Sequence, residues 1–352
     1  MKAKHGLILF VILVLITSLF ILSCTSSTPA STKTIELNYN KMGPATQKNS
    51  QEPAEYLANE VAKRTNGRVK INIHPNSALA APPQTYDALL KGVCDIGEAQ
   101  AAYTPGRFPA TEIGEIPLGY PDSWIASHAF TDWFNKFKPK EWDESVMVYL
   151  FNTTPYVIGT VNKPIQKVDD LKGLILRSSG AASDAYVKAL GATPRALGVT
   201  EVYEALSKAM LDGLVMPMEA YPPFKLDEVI KYVTDTSFAS YAGCSYVAMN
   251  KNVFNKLSKE DQKILFEVAH ETMEMRAKMF LEETDKAIAK FKALPGRQWI
   301  ILPAEEQAKI TAAAQSVVDN WVKEKTAAGL PAAEYVKYMK ERLAYWSQKP
   351  PK

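Results

Sequence analysis

From residue 35 onward the chain alternates short β-prone apolar runs with longer segments whose apolar residues return every three or four positions. The short runs cover 35–39, 69–73, 93–99, 146–151, 156–161, 174–177, 214–216, 245–249 and 299–302, and each reads as a strand. Strands that alternate with helices in this way predict an α/β architecture with mainly parallel sheets. Across 50–65, Tyr56, Leu57, Glu60, Val61 and Arg64 recur at helical spacing, and Asn66-Gly67 supplies the stop. A second helix over 83–91 opens on Pro82 and Pro83, residues suited to a first turn, and ends at Gly92. A third over 200–211 has Thr200 as its expected N-cap, Glu201 in the first turn and Asp212-Gly213 as the turn into the next strand.

The longest helical pattern begins at Ser258, where Ser258-Lys259-Glu260-Asp261 has the form of a capping box with Asp in place of Glu. It continues without Gly or Pro to Leu294, and a helix of that length spans roughly 50 Å, more than the width of one small lobe. It is therefore expected to brace two lobes. Glu282, Glu283, Asp285, Lys286 and Lys290 give it an ordinary solvated outer face. The tail from Ala304 reads as further helices broken at Gly329 and Pro331, with a frayed end at 349–352.

One apolar run does not fit these periodicities. Lys2 and Lys4 precede an almost unbroken apolar stretch over 7–22, followed by Ser23 and Cys24, which is the layout of an export signal at 1–23. No later stretch approaches the roughly 20 apolar residues a membrane span needs. Ile21-Leu22-Ser23-Cys24 resembles the lipobox of bacterial lipoproteins, in which the Cys is diacylated and becomes the anchored first residue. Lipoboxes usually carry Leu first and a small residue second, so Ile21 and Leu22 depart from the pattern; a plain cleaved signal or an uncleaved anchor are the alternatives. Residues 24–34, small, polar and Pro-containing, then form a tether that lets a domain swing away from a membrane. The expected location is periplasmic or extracytoplasmic, held by the lipid on Cys24.

Removing Lys2 and Lys4 takes the formal charge from +3 to +1, so there is no electrostatic case for nucleic acid. Ordinary apolar content over more than 300 residues, with no internal repeat, exceeds the size at which one core stops growing. Beyond Cys24 only Cys94 and Cys244 remain, far apart in a compartment that permits disulfides. They offer no CxxC pair and no metal-ligand cluster, and two buried thiols are preferred to a bridge. After the signal, His74, His128 and His270 are the only histidines, and no GxSxG, HExxH or Cys-His signature accompanies them. A hydrolase is thereby disfavoured. An exported scaffold lipoprotein would need an exposed apolar patch in place of a cleft.

Six motifs in order carry a resemblance to a known family. They are Thr65-Asn66-Gly67-Arg68-Val69 leading to His74-Pro75-Asn76-Ser77, then Ala88-Leu89-Leu90-Lys91-Gly92-Val93-Cys94-Asp95-Ile96-Gly97. Asp169-Asp170-Leu171-Lys172-Gly173-Leu174-Ile175-Leu176-Arg177, Ala189-Leu190-Gly191-Ala192-Thr193-Pro194 and Glu201-Val202-Tyr203-Glu204-Ala205-Leu206 follow. Met249-Asn250-Lys251 ahead of Leu257-Ser258-Lys259-Glu260-Asp261-Gln262 completes the set. From about Ile35 to at least Ala293 the chain resembles the DctP-like solute-binding receptors of tripartite ATP-independent periplasmic (TRAP) transporters.

The resemblance implies the two-lobe α/β fold of periplasmic binding proteins, with an interlobe cleft, crossing hinge strands and a long helix packed on both lobes. It puts lobe one at 35–152 plus 238–274, and lobe two with the C-terminal helices at 153–237 plus 275–352. It implies a receptor, not an enzyme, that needs no cofactor and hands a small organic acid to small and large membrane subunits. Arg177 ends a strand where the family places an Arg that pairs with the solute's carboxylate, a task suited to a planar guanidinium fork. The chain departs from the family at two places: Tyr156 stands where many members have a second Arg, and Met216 where many have Asn before a Pro. Met cannot donate a hydrogen bond and Tyr offers one hydroxyl, so a monocarboxylate with an apolar or aromatic body is expected. Tyr103, Arg107 and Phe108 in a turn after a lobe-one strand are further expected lining residues, as are Glu219 and Tyr221 after Pro217, and Gln100 and Ser178. Arg107 offers a second positive group, and Glu219 an acceptor for a ligand hydroxyl or a ligand for a cation.

Overall fold

In the computed structural model, which describes residues 34–351, the alternating pattern is realised as two sheets. In chain order the strands are β1 (Ile35–Asn40), β2 (Val69–His74), β3 (Ile96–Gln100), β4 (Ser145–Pro155), β5 (Val157–Thr160), β6 (Ile175–Ser178), β7 (Thr193–Ala196), β8 (Gly213–Met216), β9 (Tyr232–Thr234), β10 (Ala242–Asn250) and β11 (Gln298–Ile300). The longer helices are α1 (Lys48–Arg64), α2 (Ser123–Phe137), α3 (Ala181–Ala189), α4 (Lys259–Ala293), α5 (Ala304–Ala327) and α6 (Ala332–Trp346). One sheet has the order β2-β1-β3-β10-β4 and the other β11-β9-β5-β8-β6-β7. The expected signal at 1–23, Cys24, and all but the last residue of the expected tether lie outside the described residues. Among the described residues no helix is long and apolar enough to cross a membrane.

The sheets are more mixed than the alternation predicts. Strand β10 is antiparallel to both β3 and β4, and β5 is antiparallel to both β8 and β9. The reason is connectivity. Strands that close a βα unit run toward the gap between the sheets, whereas β5 and β10 follow segments arriving from the other sheet and run away from it. The chain leaves the first sheet along β4 and enters the second through Tyr156 into β5; at the crossing Tyr156 N donates to Tyr241 O at 3.0 Å. Strands β7 and β9 are too short and too polar to stand out by alternation.

Four apolar clusters cover the two faces of each sheet, and two helices are shared between lobes. Helix α4 contributes Leu265, Val268, Met273 and Phe280 to a core on the first sheet, then Ala287 and Phe291 to a core on the second. It thus braces both lobes as expected, and its start is the expected one: Ser258 caps it, accepting from Asp261 N at 3.0 Å. Helix α5 is a second brace that the periodicity does not reveal, with Ile310, Ala314 and Val317 against the second sheet and Val318 and Trp321 against the first. The last helix, α6, packs its Tyr335 on Trp133 of α2, with ring centroids 5.1 Å apart.

Several local expectations are corrected. The helix predicted over 200–211 is a single 3₁₀ turn, Val199–Glu201, and a short helix, Val202–Ser207. Glu201 accepts from Gly198 N in place of a Thr200 cap, and Ala209, at φ 53°, turns the chain out of the helix. The helix at 83–91 begins as a 3₁₀ turn, Pro82–Gln84, and continues as a short α-helix over Thr85–Leu90. The strand expected from Val93 starts at Ile96, after a left-handed turn at Gly92 that leaves Val93 exposed. The chain end is tied down at least to Lys349, whose carbonyl accepts from Trp124 Nε1 at 3.1 Å. Cys94 and Cys244 are both buried and unbridged.

Candidate functional site

A small cavity of about 50 Å³ lies between the sheets, walled by residues of both. Its walls come from strand ends that face each other: Gln100 from β3, Phe151 from β4 and Ser245 from β10, against Arg177 from β6 and Met216 from β8. Thr153 and Tyr156 line it at the crossing, Glu219 in the turn after Pro217, and Arg276 and Phe280 on α4. Tyr103 closes it from the turn after β3.

Arg177 is 1 % exposed, and all its hydrogen bonds go to neutral groups. Nε and Nη2 donate to Leu197 O at 3.0 and 2.8 Å, and Nη2 also donates to the Tyr103 hydroxyl at 3.4 Å. Among the described residues no carboxylate forms an ion pair with it. Two buried carboxyls, Glu115 and Glu219, lie in its surroundings, and burial raises both. Burial, then the charge of Glu112, pushes Glu115 up to about 8, against opposing contributions that include Arg177 itself. Burial likewise pushes Glu219 up to about 7, although Thr154 and Thr284 donate to it from their hydroxyls at 2.5 and 2.9 Å.

Tyr156 is placed by two contacts. Its ring packs on Tyr241 at 4.6 Å between centroids, and its hydroxyl accepts from Gln100 Nε2 at 3.4 Å. The approach requires Gly243, because a Cβ there would lie 2.4 Å from the Tyr156 hydroxyl. Burial holds the phenol well above its usual range, so Tyr156 stays a neutral donor.

Six of the expected site residues therefore meet at one cavity: Arg177, Tyr156, Met216, Glu219, Tyr103 and Gln100. Four do not line it. Arg107 is bound outside, paired with Glu144 and lying 4.9 Å over the Tyr86 ring. Phe108 is a core residue stacked on Trp142 at 4.1 Å. The Ser178 hydroxyl donates to Asp184 at the start of α3, and Tyr221 is buried in the core of the second lobe beside Phe291. The turn after β3 brings only Tyr103 to the cavity because the chain then folds back into the first lobe's core.

The most consequential residue missed is Arg276. Its Nη2 donates to Glu98 at 2.7 Å and to Ser50 at 3.3 Å, Nη1 donates to the Tyr149 hydroxyl at 3.3 Å, and its guanidinium lies 3.7 Å from the Phe151 ring centroid. Burial alone would raise the Glu98 carboxyl, but the Arg276 guanidinium, with Lys41 and the Tyr39 hydroxyl, more than reverses this and holds it below the usual range. A signal existed: Arg276 sits between Met273 and Phe280 on the apolar stripe of α4, where a charge needs a buried partner. Gln47, Thr153, Ser245 and Phe280 reach the cavity from segments with no motif of their own.

Among the described residues no group of three or more His, Cys, Asp or Glu is arranged to hold a metal ion. None of His74, His128 and His270 lines the cavity. Burial pushes the Cys94 thiol up to about 12 and raises Cys244 well above its usual value.

Comparison with known proteins gives this geometry a context. The family model for bacterial extracellular solute-binding protein, family 7 (DctP) matches residues 41–325. The C4-dicarboxylate-binding periplasmic protein DctP of Rhodobacter capsulatus is 27 % identical over 296 residues, covering 82 % of this chain and 86 % of that protein. A TRAP periplasmic solute-binding protein from Desulfovibrio salexigens, solved in an open form, aligns with a TM-score of 0.77 at 29 % identity over 90 % of this chain and 98 % of its own. A TRAP solute-binding protein specific for aromatic acid ligands, from an unidentified marine microbe and in complex with 3-hydroxybenzoate, aligns with a TM-score of 0.84 at 27 % identity over 89 % and 99 %.

Proposed function

The chain belongs to the DctP family of bacterial extracellular solute-binding proteins, the substrate-binding subunits of TRAP transporters, and from that membership we propose that it captures a monocarboxylate with an apolar or aromatic body. The observation that carries this reading is the buried Arg177 guanidinium, hydrogen-bonded to neutral groups alone. A buried charge without a counter-ion is costly, and a solute carboxylate supplies the missing charge through a charge-assisted bond in a site shielded from water. The rest of the wall supports a single carboxylate. Met216 cannot donate, Tyr156 offers one hydroxyl, and Phe151, Phe280 and Phe224 add apolar surface. The marine relative's complex with 3-hydroxybenzoate supports the aromatic form of this class.

In this reading the solute bridges the lobes. Tyr103 and Gln100 belong to the first and Arg177 and Met216 to the second, so the full contact set exists only when the cleft is shut, and binding favours the closed state by that difference. The closed receptor then delivers its solute to the small and large membrane subunits. Anchoring through a lipid on Cys24 would keep it near them.

The test is a thermal-shift and calorimetric screen of the purified protein against monocarboxylates, dicarboxylates, sugar acids and neutral polyols. Aromatic or branched monocarboxylates should raise the melting temperature. Binding confined to dicarboxylates or polyols would reject the proposed ligand class.

A further inference from the structure

We infer that the cleft carries a second polar subsite, built by Arg276, Gln100 and Ser245, which takes a hydroxyl on the solute's body away from its carboxylate. The inference rests on the monocarboxylate reading and narrows it to hydroxylated acids.

The subsite follows from strand register. Gln100 on β3 pairs with Ser245 on β10, and Ser245 pairs with Phe151 on β4, so these residues form one row across the end of the first sheet. Arg276 stands over the last member of that row, its guanidinium 3.7 Å from the Phe151 ring centroid. All three polar residues line the cavity and are more than nine-tenths buried. Each also has one buried polar atom with no partner: Gln100 Oε1, Ser245 Oγ and Arg276 Nε. Their remaining polar atoms are engaged where they have them, Gln100 Nε2 on Tyr156 and the Arg276 Nη atoms on Tyr149, Ser50 and Glu98.

Buried polar atoms are almost always satisfied, and three orphans on residues that line one cavity ask for a partner. The kinds of atom identify it. Gln100 Oε1 only accepts, Arg276 Nε–H only donates, and Ser245 Oγ does either. A hydroxyl both accepts from Arg276 and donates to Gln100, as a lone water does, and the titration below separates a solute hydroxyl from a water. A second carboxylate would set acceptor against acceptor at Gln100, and an ammonium would meet a guanidinium that Glu98 already pairs. The ion pair to Glu98 and the Phe151 ring hold the Arg276 guanidinium in place before the solute arrives.

The experiment is isothermal titration of the purified protein with benzoate, phenylacetate and the 3- and 4-hydroxy derivatives of each. At least one hydroxylated acid should bind about tenfold or more tightly than its parent, since a site built for a hydroxyl rejects the analogue that lacks it. Replacing Arg276 strands Glu98 and endangers the fold, so Ser245→Ala and Gln100→Leu are the variants of choice, each expected to lose most of that preference. Parents that bind as tightly as every hydroxylated acid, or a preference unchanged in both variants, overturn the subsite while leaving the Arg177 reading intact. Failure of all these acids to bind overturns the subsite as argued and leaves the reading beneath it to the wider monocarboxylate screen.

Discussion

Arg177 and Tyr103, 74 residues apart, meet across the cleft: Nη2 of the arginine donates to the tyrosine hydroxyl at 3.4 Å. One side chain ends a strand of the second sheet and the other sits in the turn after a strand of the first. The contact therefore exists only with the lobes together, and it joins the proposed anion anchor to closure.

Arg177→Ala should weaken binding of a responsive monocarboxylate by roughly 100-fold or more, about 3 kcal/mol, because the carboxylate is left buried without its cation. Circular dichroism should be unchanged, since the residue ties no core cluster together. Titration calorimetry on the folded variant decides the matter, and unaltered affinity would remove Arg177 from the site.

Gly180 is a point of close approach between the lobes near the site. A Cβ there would lie 2.7 Å from the backbone oxygen of Ala102 in the facing lobe. Gly180→Val should therefore obstruct closure and weaken solute binding by about tenfold or more. Small-angle scattering with saturating solute should show the variant more extended than the wild type, and equal radii of gyration would contradict the assignment.

The pH dependence of stability should carry the mark of Glu219. Its carboxyl titrates near 4.5 in the unfolded chain and at about 7 when folded. Between these values the folded state binds more protons, so the contribution to stability is full below about 4.5, declines as pH rises, and is lost above about 7. The size is on the order of 3 kcal/mol. Glu115, raised to about 8, adds a loss of the same sign over a wider window. Glu219→Gln should flatten the fall in melting temperature between about pH 5 and pH 8, measured by calorimetry, and an identical slope in the variant would exclude it as the source.

Cys24→Ser should release the exported protein from the membrane fraction if the lipobox-like run functions as one. Fractionation and intact-mass measurement of the mature chain provide the check. A wild-type chain found wholly in the soluble fraction, without the mass of a diacylglyceryl group, would leave the run as part of a plain signal.

Arg177 was legible because its segment carries local evidence twice over: a strand ending in Arg, and a motif that resembles a family in which that Arg has a task. Ser258 was legible for a similar reason, since a cap acts on amides only three residues away. Arg276 was not, although it lies in the longest helix among the described residues. Its meaning depends on Phe151 and on Glu98, the latter 178 residues away in sequence, and helical periodicity says only that it lies on the buried face. Arg107 shows the converse error. Its turn has the composition of a ligand loop, but its side chain lies over Tyr86 outside the cavity and Glu144 takes its charge.

Alternating strands and helices, the family, the long brace from Ser258 and the arginine at the end of β6 can all be read along the chain, because each is encoded in contacts or motifs that are short in sequence. Packing in three dimensions sets the rest: that β5 and β10 run against their neighbours, that α5 also spans both lobes, and that Gln100, Ser245, Phe151 and Arg276 share one wall. Those facts follow from strand register and from the path of the chain between sheets, and register is a relation between segments that no single segment carries.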